Sequence, residues 1–143
     1  MKLTRASSYA LHAVVYMAAQ KNDKPVASHH IAQARGIPER FLLKVLKPLV
    51  SASVLRSIKG PNGGYRLARP ANEITLLEIV EAVDGPIRGQ APPPEKNKKD
   101  FPHYNPEVSM PVFHKLDALC QQSADNMRKQ LEKVRISDLM GKR

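Results

Sequence analysis

The chain has 143 residues, which fits one domain, or one domain with an oligomerisation appendage, and its single cysteine excludes an internal disulfide framework. It has no run of 18 apolar residues and its N-terminus is interrupted by charge, so we expect a cytoplasmic protein without a membrane span or signal peptide. The net charge of +10 lies in residues 1–69, which hold 12 Lys and Arg against 2 Asp and Glu, whereas residues 70–143 hold 11 of each.

This charge distribution predicts a polyanion-binding module joined to a region with another role, although a solvated basic surface would give the same count. The first expected helix covers residues 4–20, with Thr4 as its candidate N-cap, and has a wide apolar face. A second, short helix covers residues 28–36, with Ser28 as its N-cap and a glycine at its end. His29 and His30 project about 100° apart on this helix, so we expect them to be exposed and not to share a metal.

A third helix opens at Pro38 and carries Arg40, Lys44 and Lys47 at positions i, i+4 and i+7. These side chains form one basic ridge, opposite a buried face assigned to Phe41, Leu42, Val45, Leu46 and Leu49. A recognition helix needs such long cationic donors on one face to reach bases or phosphates in the major groove. A solvated charged face is the alternative. Pro48 removes a backbone hydrogen bond, so we expect the helix to kink or end early near it.

A β-hairpin is predicted next, with strands over residues 54–58 and 65–68 and a loop of Gly, Pro and Asn between them. A short helix, a basic helix and a hairpin follow one another in a winged helix-turn-helix, where the hairpin is the wing. A glycine-rich tip lets the backbone approach a phosphate, and we place Lys59 and Arg66 at its base as sources of charge. An ordinary surface hairpin is the alternative. The wing residues assigned to DNA binding are Lys59, Gly60, Asn62, Gly63 and Arg66.

The C-terminal half contains a capped helix, a proline-rich linker and a long helix. Thr75 and Glu78 form a capping box at the start of a helix that continues to about residue 84. Residues 87–108 are read as a linker loop, and residues 109–143 as a dimerisation helix and tail, after a DNA-binding domain over residues 1–86. The long helix has a narrow apolar stripe that predicts crossing with a second copy, while packing on its own domain is the alternative. The stripe consists of Val112, Leu116, Leu119, Ser123, Met127 and Leu131.

These motifs together resemble the Rrf2 family of bacterial transcription regulators. The resemblance is strong over residues 1–86 and weaker over the long helix, and its most specific part is the wing sequence Gly60-Pro61-Asn62-Gly63-Gly64-Tyr65-Arg66-Leu67. It implies a mainly α fold with a small β-hairpin wing. It also implies a homodimer, joined by the long C-terminal helix, that binds a palindromic operator and usually represses.

The resemblance also implies roles for individual residues. Arg40, Phe41 and Lys44 would face the bases, and Lys59 would enter the minor groove. The residues expected near phosphates are Arg5, Ser7, Ser8 and Ser28. Two positions depart from the family pattern. Leu43 stands where polar, often acidic, residues occur in several members, and Ser53 replaces the glycine usual after the recognition helix.

The family resemblance raises the question of an iron–sulfur cluster, because some members bind one through three cysteines before the long helix. Residues 86–108 contain no cysteine, and Cys120 lies inside the long helix. We therefore predict no cluster and no other metal or cofactor. His114 and Asp117 lie at i and i+3 on one helix face, but Cys120 is turned about 240° from His114, so the three do not form a metal site.

The function predicted from the sequence is a sequence-specific dimeric transcription regulator, most simply a repressor. Three signals are compatible with the sequence: a small molecule, a partner protein and oxidation of Cys120. The last of these would make the protein a redox-sensing regulator. A protein–protein sensing module with vestigial DNA binding is the competing class. An enzyme is excluded because the chain shows no paired carboxylates, nucleophile–base set or phosphate-binding loop before a helix.

Overall fold

The computed structural model describes residues 1–94 and 100–141. It divides into two compact units: the first unit holds Met1–Pro86 and the C-terminal segment from Leu131 on, and the second unit is Ile87–Gln130. The C-terminal segment packs within the first unit because Ile136 is fully buried there and its N–H donates to the carbonyl of Ile74 at 2.9 Å. The sequence had instead assigned this segment to the dimerisation region.

Three helices open the first unit: α1 (Arg5–Ala18), α2 (Ser28–Arg35) and α3 (Glu39–Ser51). The predicted N-cap Thr4 is confirmed, because its hydroxyl accepts from the N–H of Ser7 at 3.0 Å. Ser28 is not a cap: the N-cap position of α2 is Ala27, and the helix begins at Ser28 itself.

The predicted wing hairpin is present after α3. Strand β1 (Leu55–Ile58) pairs antiparallel with β2 (Gly64–Leu67), and Arg56 lies opposite Arg66. A single 3₁₀ turn over residues 71–73 leads to α4 (Leu76–Asp84). The capping box of α4 is confirmed by both of its hydrogen bonds: the Glu78 N–H donates to the Thr75 hydroxyl at 3.1 Å, and the Thr75 N–H donates to the Glu78 carboxylate at 2.8 Å.

The core of the first unit is built around α1 and α3. Its fully or nearly fully buried side chains include Ala10, Val14, Ile31, Leu42, Leu46, Leu49, Val54, Leu55, Ile74 and Ile79. Phe41 was assigned to the buried face of α3, and that assignment is wrong because its side chain is 40% exposed. Pro48 was expected to kink α3 or to end it early, and the early end is wrong, since the helix runs through Pro48 to Ser51. Complete burial of Leu46 and Leu49 offsets the missing hydrogen bond of the proline.

The described part of the second unit consists of residues 87–94 and 100–105, which form no helix or strand, and most of α5 (Pro106–Glu132). Residues 95–99 of the predicted linker lie outside the described residues. The long helix starts three residues earlier than the sequence suggested. Asn105 explains this start, because its side chain accepts a hydrogen bond from the N–H of Glu107 at 3.0 Å. This bond pairs one of the backbone N–H groups that the first turn of a helix leaves without a partner. Pro106 is tolerated at the first helical position, where its missing N–H would be unpaired anyway.

Residues 87–94 are fastened to α5 by side-chain and backbone contacts. The Ala91 N–H donates to the Asp117 carboxylate at 2.9 Å, and the Gln121 amide donates to the same carboxylate at 2.8 Å. Gly89 lies so close to the helix that an added Cβ would stand 1.8 Å from the carbonyl oxygen of Cys120.

The short helix α6 (Ile136–Leu139) follows α5 and belongs to the first unit. Among the described residues, no helix is both long enough and apolar enough to cross a membrane.

Candidate nucleic-acid interface

The basic ridge of α3 is exposed. Arg40, Lys44 and Lys47 are all exposed, whereas Leu42, Val45, Leu46 and Leu49 on the other side of the helix are at most 5% exposed. The helix is thus held by its apolar face and presents three cations to solvent. This arrangement leaves the cationic side chains free to reach a polyanion.

The turn before α3 sets where the ridge begins. Gly36 adopts a left-handed conformation with φ 65°, which glycine tolerates without a Cβ clash, and Ile37 is then buried at 5% exposure. Pro38 occupies the N-cap position of α3. The Ser28 hydroxyl donates to the Glu39 carboxylate at 3.0 Å, so the starts of α2 and α3 are linked directly.

Two exposed apolar side chains accompany the cations of α3. Phe41 is 40% exposed and Leu43 is 44% exposed. The guanidinium carbon of Arg40 lies 4.8 Å from the centroid of the Phe41 ring, and the Lys44 ammonium lies 5.7 Å from it. Both cations therefore pack against the aromatic ring, which places the ring among the charged groups.

The tip of the wing is a tight turn closed by a hydrogen bond from the Gly63 N–H to the Gly60 carbonyl at 3.0 Å. Lys59 follows directly after β1 and is exposed, so it lies at the start of the tip and not at the base. A Cβ at Gly63 would stand 2.2 Å from the carbonyl oxygen of Ile58. The tip therefore needs glycine at this position. It carries the exposed side chain of Lys59 next to glycines that have no side chain.

Arg66 lies farther from the tip than the other wing residues. It sits in β2, is half-buried, and donates from its guanidinium to the carbonyl of Asp23 at 3.4 Å. Arg56 faces it across the hairpin and is exposed. Arg56 was not among the predicted site residues, although its pairing with Arg66 follows from the register of the hairpin.

The predicted phosphate contacts at the start of α1 separate into two groups. Arg5 is exposed and Ser8 is half-buried, but Ser7 is fully buried. The Ser7 hydroxyl donates to the Asp84 carboxylate at 2.6 Å, and the Thr4 hydroxyl donates to the same carboxylate at 2.7 Å. The assignment of Ser7 to DNA binding is therefore corrected, because its side chain joins α1 to the end of α4.

Arg69 connects the turn after α3 to the start of α4. Its guanidinium donates to the Ser53 carbonyl at 3.4 Å, to the Glu73 carbonyl at 3.0 Å and to the Glu78 carboxylate at 2.8 Å. Burial opposes ionisation of Glu78, but the hydrogen bond from Thr75 and the Arg69 guanidinium outweigh it and lower its pKa. The turn after α3, where Ser53 has φ 60°, is thus fixed to the start of α4.

The donor groups of this chain do not fit a cysteine-ligated iron–sulfur cluster. Such a cluster takes several thiolates, and the chain has the single cysteine Cys120, which is half-buried in α5. Within residues 1–94 and 100–141, no three His, Cys, Asp or Glu side chains are grouped as metal ligands.

Comparisons with known proteins agree over most of the chain. The sequence profile of the Rrf2 family, described as iron-dependent transcriptional regulators, matches residues 3–142. A protein of Mycobacterium tuberculosis H37Rv, named as a candidate HTH-type transcriptional regulator, is 31% identical over 142 residues, which is 99% of this chain and 82% of that protein. Protein aau3 of Rhizobium meliloti is 42% identical over 84 residues, which is 59% of this chain and 54% of that protein. The match thus spans about half the length of aau3.

Solved structures share the whole architecture. CymR, the global cysteine regulator of Bacillus subtilis, superposes with a TM-score of 0.69 at 24% identity, covering 97% of this chain and 95% of that chain. IscR of T. potens superposes with a TM-score of 0.64 at 20% identity, covering 97% and 85%. At such identities the likeness establishes the fold, and the sequence profile establishes the family. The chain therefore belongs to the Rrf2 family of transcriptional regulators, with the family's winged helix-turn-helix DNA-binding fold and no enzymatic role.

Proposed function

We propose that this protein is a homodimeric, sequence-specific DNA-binding regulator that represses transcription from palindromic operators without an iron–sulfur cluster. The observation that carries the proposal is the exposed basic ridge of α3 beside an exposed lysine at the tip of the wing. Both lie in residues 1–69 of the first unit, and this segment holds 12 Lys and Arg against 2 Asp and Glu. A cationic helix and a small cationic tip match a major groove and the neighbouring backbone.

The proposed DNA contacts follow from exposure as well as from charge. Arg40 and Lys44 read bases in the major groove, with Lys47 on the same ridge, and Lys59 enters the minor groove. The glycine tip lets backbone N–H groups approach phosphate oxygens closely. The proposed set is Arg5, Ser8, Ser28, Pro38, Arg40, Phe41, Lys44, Lys47, Lys59, Gly60, Asn62, Gly63 and Arg66.

Dimerisation through α5 is supported by a line of exposed apolar side chains. Val112, Leu116 and Leu119 are 53%, 51% and 59% exposed, and Val108 before them is 64% exposed. Their spacing of three and four residues places them on one face of the helix. The predicted stripe continues through Ser123 and Met127, whereas Leu131 lies in the first unit. A second copy of α5 would cover this face and bring two wings to one duplex.

Absence of a family-type cluster is proposed from the ligand count. A single half-buried cysteine cannot supply the several thiolates that hold such a cluster. DNA binding by this chain then depends on another signal or is constitutive. Oxidation of Cys120, a small molecule or a partner protein each stay open as that signal.

A gel-shift titration tests the proposal. Purified, iron-assayed protein is titrated against the DNA upstream of its own gene and against unrelated DNA at several salt concentrations, with Cys120 reduced and oxidised. We expect the upstream DNA to be bound at salt concentrations that abolish binding to the unrelated DNA. Equal binding to both, lost together as salt rises, would mean that only non-specific charge attraction operates.

A further inference from the structure

The recognition helix carries apolar side chains where a purely phosphate-binding helix needs none. Phe41 and Leu43 are 40% and 44% exposed, beside three cations on the face of α3 that points away from the core. Single exposed apolar residues are common on protein surfaces. Here, however, two of them lie only two positions apart in α3, the helix that is proposed to enter the major groove.

Their positions place them on opposite sides of the basic ridge. At about 100° per residue, Phe41 and Leu43 project about 160° apart around the helix axis. Arg40 and Lys44 lie between them, on the arc that faces away from Leu42 and Leu46. A helix docked through its ridge would therefore bring one apolar side chain to each side of the bases that the ridge contacts.

Contacts on the Phe41 side tie the ring to the cations that flank it. The Arg40 guanidinium carbon and the Lys44 ammonium lie 4.8 Å and 5.7 Å from the ring centroid. These cations approach the ring face, so the ring edge stays available to a second partner. When the cations contact a guanine, the ring lies within reach of a neighbouring base.

The major groove offers one apolar group to such side chains. Among the four bases only thymine presents a C5-methyl group there, and apolar side chains recognise it by contact. Cytosine presents an amino donor and guanine presents two acceptors, which neither Phe nor Leu can satisfy. An apolar side chain held next to the base edges thus favours thymine and disfavours bases whose polar groups it would leave unpaired.

We infer that Phe41 and Leu43 are specificity-determining residues, each of which contacts the C5-methyl group of a thymine in every operator half-site. This inference rests on the proposed function, because it requires α3 to enter the major groove. It adds the chemical class that the helix selects: a 5-methylpyrimidine on either side of the bases contacted by Arg40 and Lys44. Burial of one methyl group corresponds to about fourfold in affinity.

Replacement of thymine by deoxyuridine tests the inference, because it removes the methyl group and changes nothing else in the base pair. The preferred site of the full-length protein is first selected from a random duplex library. Each thymine of that site is then replaced in turn by deoxyuridine in both half-sites, and affinity is measured by fluorescence anisotropy. We expect two positions per half-site at which the replacement weakens binding, by about fourfold for each methyl group lost.

Variants assign each methyl contact to a side chain. Phe41→Ala should abolish the difference between thymine and deoxyuridine at one position, and Leu43→Ala should abolish it at the other. Leu139→Ala is the matched control, since Leu139 is also 44% exposed but lies on α6. Phe101→Ala serves the same purpose for Phe41, since Phe101 is 51% exposed and lies outside α3. Both controls should keep the full methyl effect.

Four results would overturn the inference. Equal affinity for thymine and deoxyuridine at every position would refute methyl contact while leaving sequence-specific binding intact. A methyl effect that persists in Phe41→Ala and Leu43→Ala would assign it to other residues. A change of oligomeric state in either variant, seen by light scattering, would make the two side chains part of a protein contact. If the library yields no preferred duplex, the proposed function itself fails and the inference fails with it.

Discussion

The two units of this protein differ in how far their apolar side chains are buried. Among the described residues, every member of the buried hydrophobic core except Ala124 lies in the first unit. The second unit instead leaves Val108, Val112, Leu116 and Leu119 more than half exposed along one helix face. The first unit therefore completes its own core, whereas the second unit presents a surface that gains stability only when another surface covers it.

Positive charge is also distributed unevenly along the chain. The excess of ten positive charges belongs to residues 1–69, all within the first unit, while residues 70–143 are neutral. Residues 87–130, which make up the second unit, hold 7 Lys and Arg against 5 Asp and Glu and so carry little net charge. A self-sufficient unit that contains the basic segment suits binding to DNA, and a unit of low net charge with an uncovered apolar stripe suits binding to a second copy. Under the proposed function, DNA recognition and dimerisation belong to separate parts of one chain, so substitutions should disrupt them one at a time.

The largest effect is expected from charges placed in the stripe. Leu116→Glu combined with Leu119→Glu should convert the dimer to a monomer, because each buried leucine contributes about 1.5–3 kcal/mol and a buried, unpaired carboxylate opposes association further. Sedimentation equilibrium would measure the change. Leu43→Glu is the control, since Leu43 is also exposed but lies in the first unit, and it should leave the dimer intact. A double variant that stays dimeric would place the interface elsewhere.

Substitutions on the ridge should spare assembly and impair recognition. Lys44→Ala should weaken binding to the selected site by about 1–3 kcal/mol and relax base preference at one position, if the ammonium contacts a base. Affinity for a panel of single-base variants of the site would measure this. Lys129→Ala provides an exposed lysine on α5 for comparison and should change neither affinity nor preference. A loss that is equal on all sequences would assign Lys44 to phosphate contact instead.

At the wing, Lys59→Ala should have a smaller effect that depends on salt. Removal of one cation from the minor groove should reduce the slope of log affinity against log salt concentration by about 0.9, with little change in base preference. Anisotropy titrations at four salt concentrations would give the slope. An unchanged slope would argue that the tip does not reach the DNA.

The turn after α3 offers a change in stability alone. Ser53 has φ 60°, a conformation that glycine adopts more readily, so Ser53→Gly should stabilise the first unit by about 0.5–1 kcal/mol. The dimer should be unaffected. Ser51→Gly, inside the last turn of α3, should have the opposite sign. Urea unfolding of both variants checks the pair, and destabilisation by Ser53→Gly would contradict the account of the turn.

The smallest effect concerns pH. The lowered pKa of Glu78 means that its bonds to Thr75 and Arg69 stabilise the fold above the unfolded-state pKa of about 4.3, and that this stabilisation is lost as pH falls through the folded-state value. Because the Arg69–Glu78 pair is about a third exposed, the contribution is expected to stay below about 1 kcal/mol. Glu78→Gln should therefore lose less stability than the wild type between pH 5 and pH 3. Parallel losses in urea unfolding would contradict this.

Much of the first unit could be predicted from the sequence because its signals are local. The caps at Thr4 and Thr75, the glycine that ends α2 and the glycines of the wing act through neighbouring backbone atoms, and each was confirmed in place. The basic ridge follows from helical periodicity alone. Ser53 was recognised only as a departure from the family pattern, and the structure adds the positive φ that glycine would otherwise supply.

The missed features depend on distant contacts. Ser7 was assigned to DNA from the family resemblance, and nothing near it in the sequence reveals that its hydroxyl donates a hydrogen bond to Asp84, 77 residues away. Phe41 was assigned to the core by periodicity, whereas cations on the same helix hold its ring at the surface. Continuation of α3 through Pro48 likewise depends on packing in the core, which outweighs the local preference to end the helix.

Analytical ultracentrifugation of the complex with DNA tests most directly whether one unit recognises DNA and the other pairs the chains. Iron-assayed protein is sedimented with a duplex that carries two copies of the selected half-site one helical turn apart, and with a duplex that carries one. We predict two protomers on the two-site duplex without bound iron, and a much weaker complex of the Leu116→Glu, Leu119→Glu variant on the same DNA. One protomer per duplex, equal binding by that variant, or binding only after an iron–sulfur cluster is supplied would contradict the account.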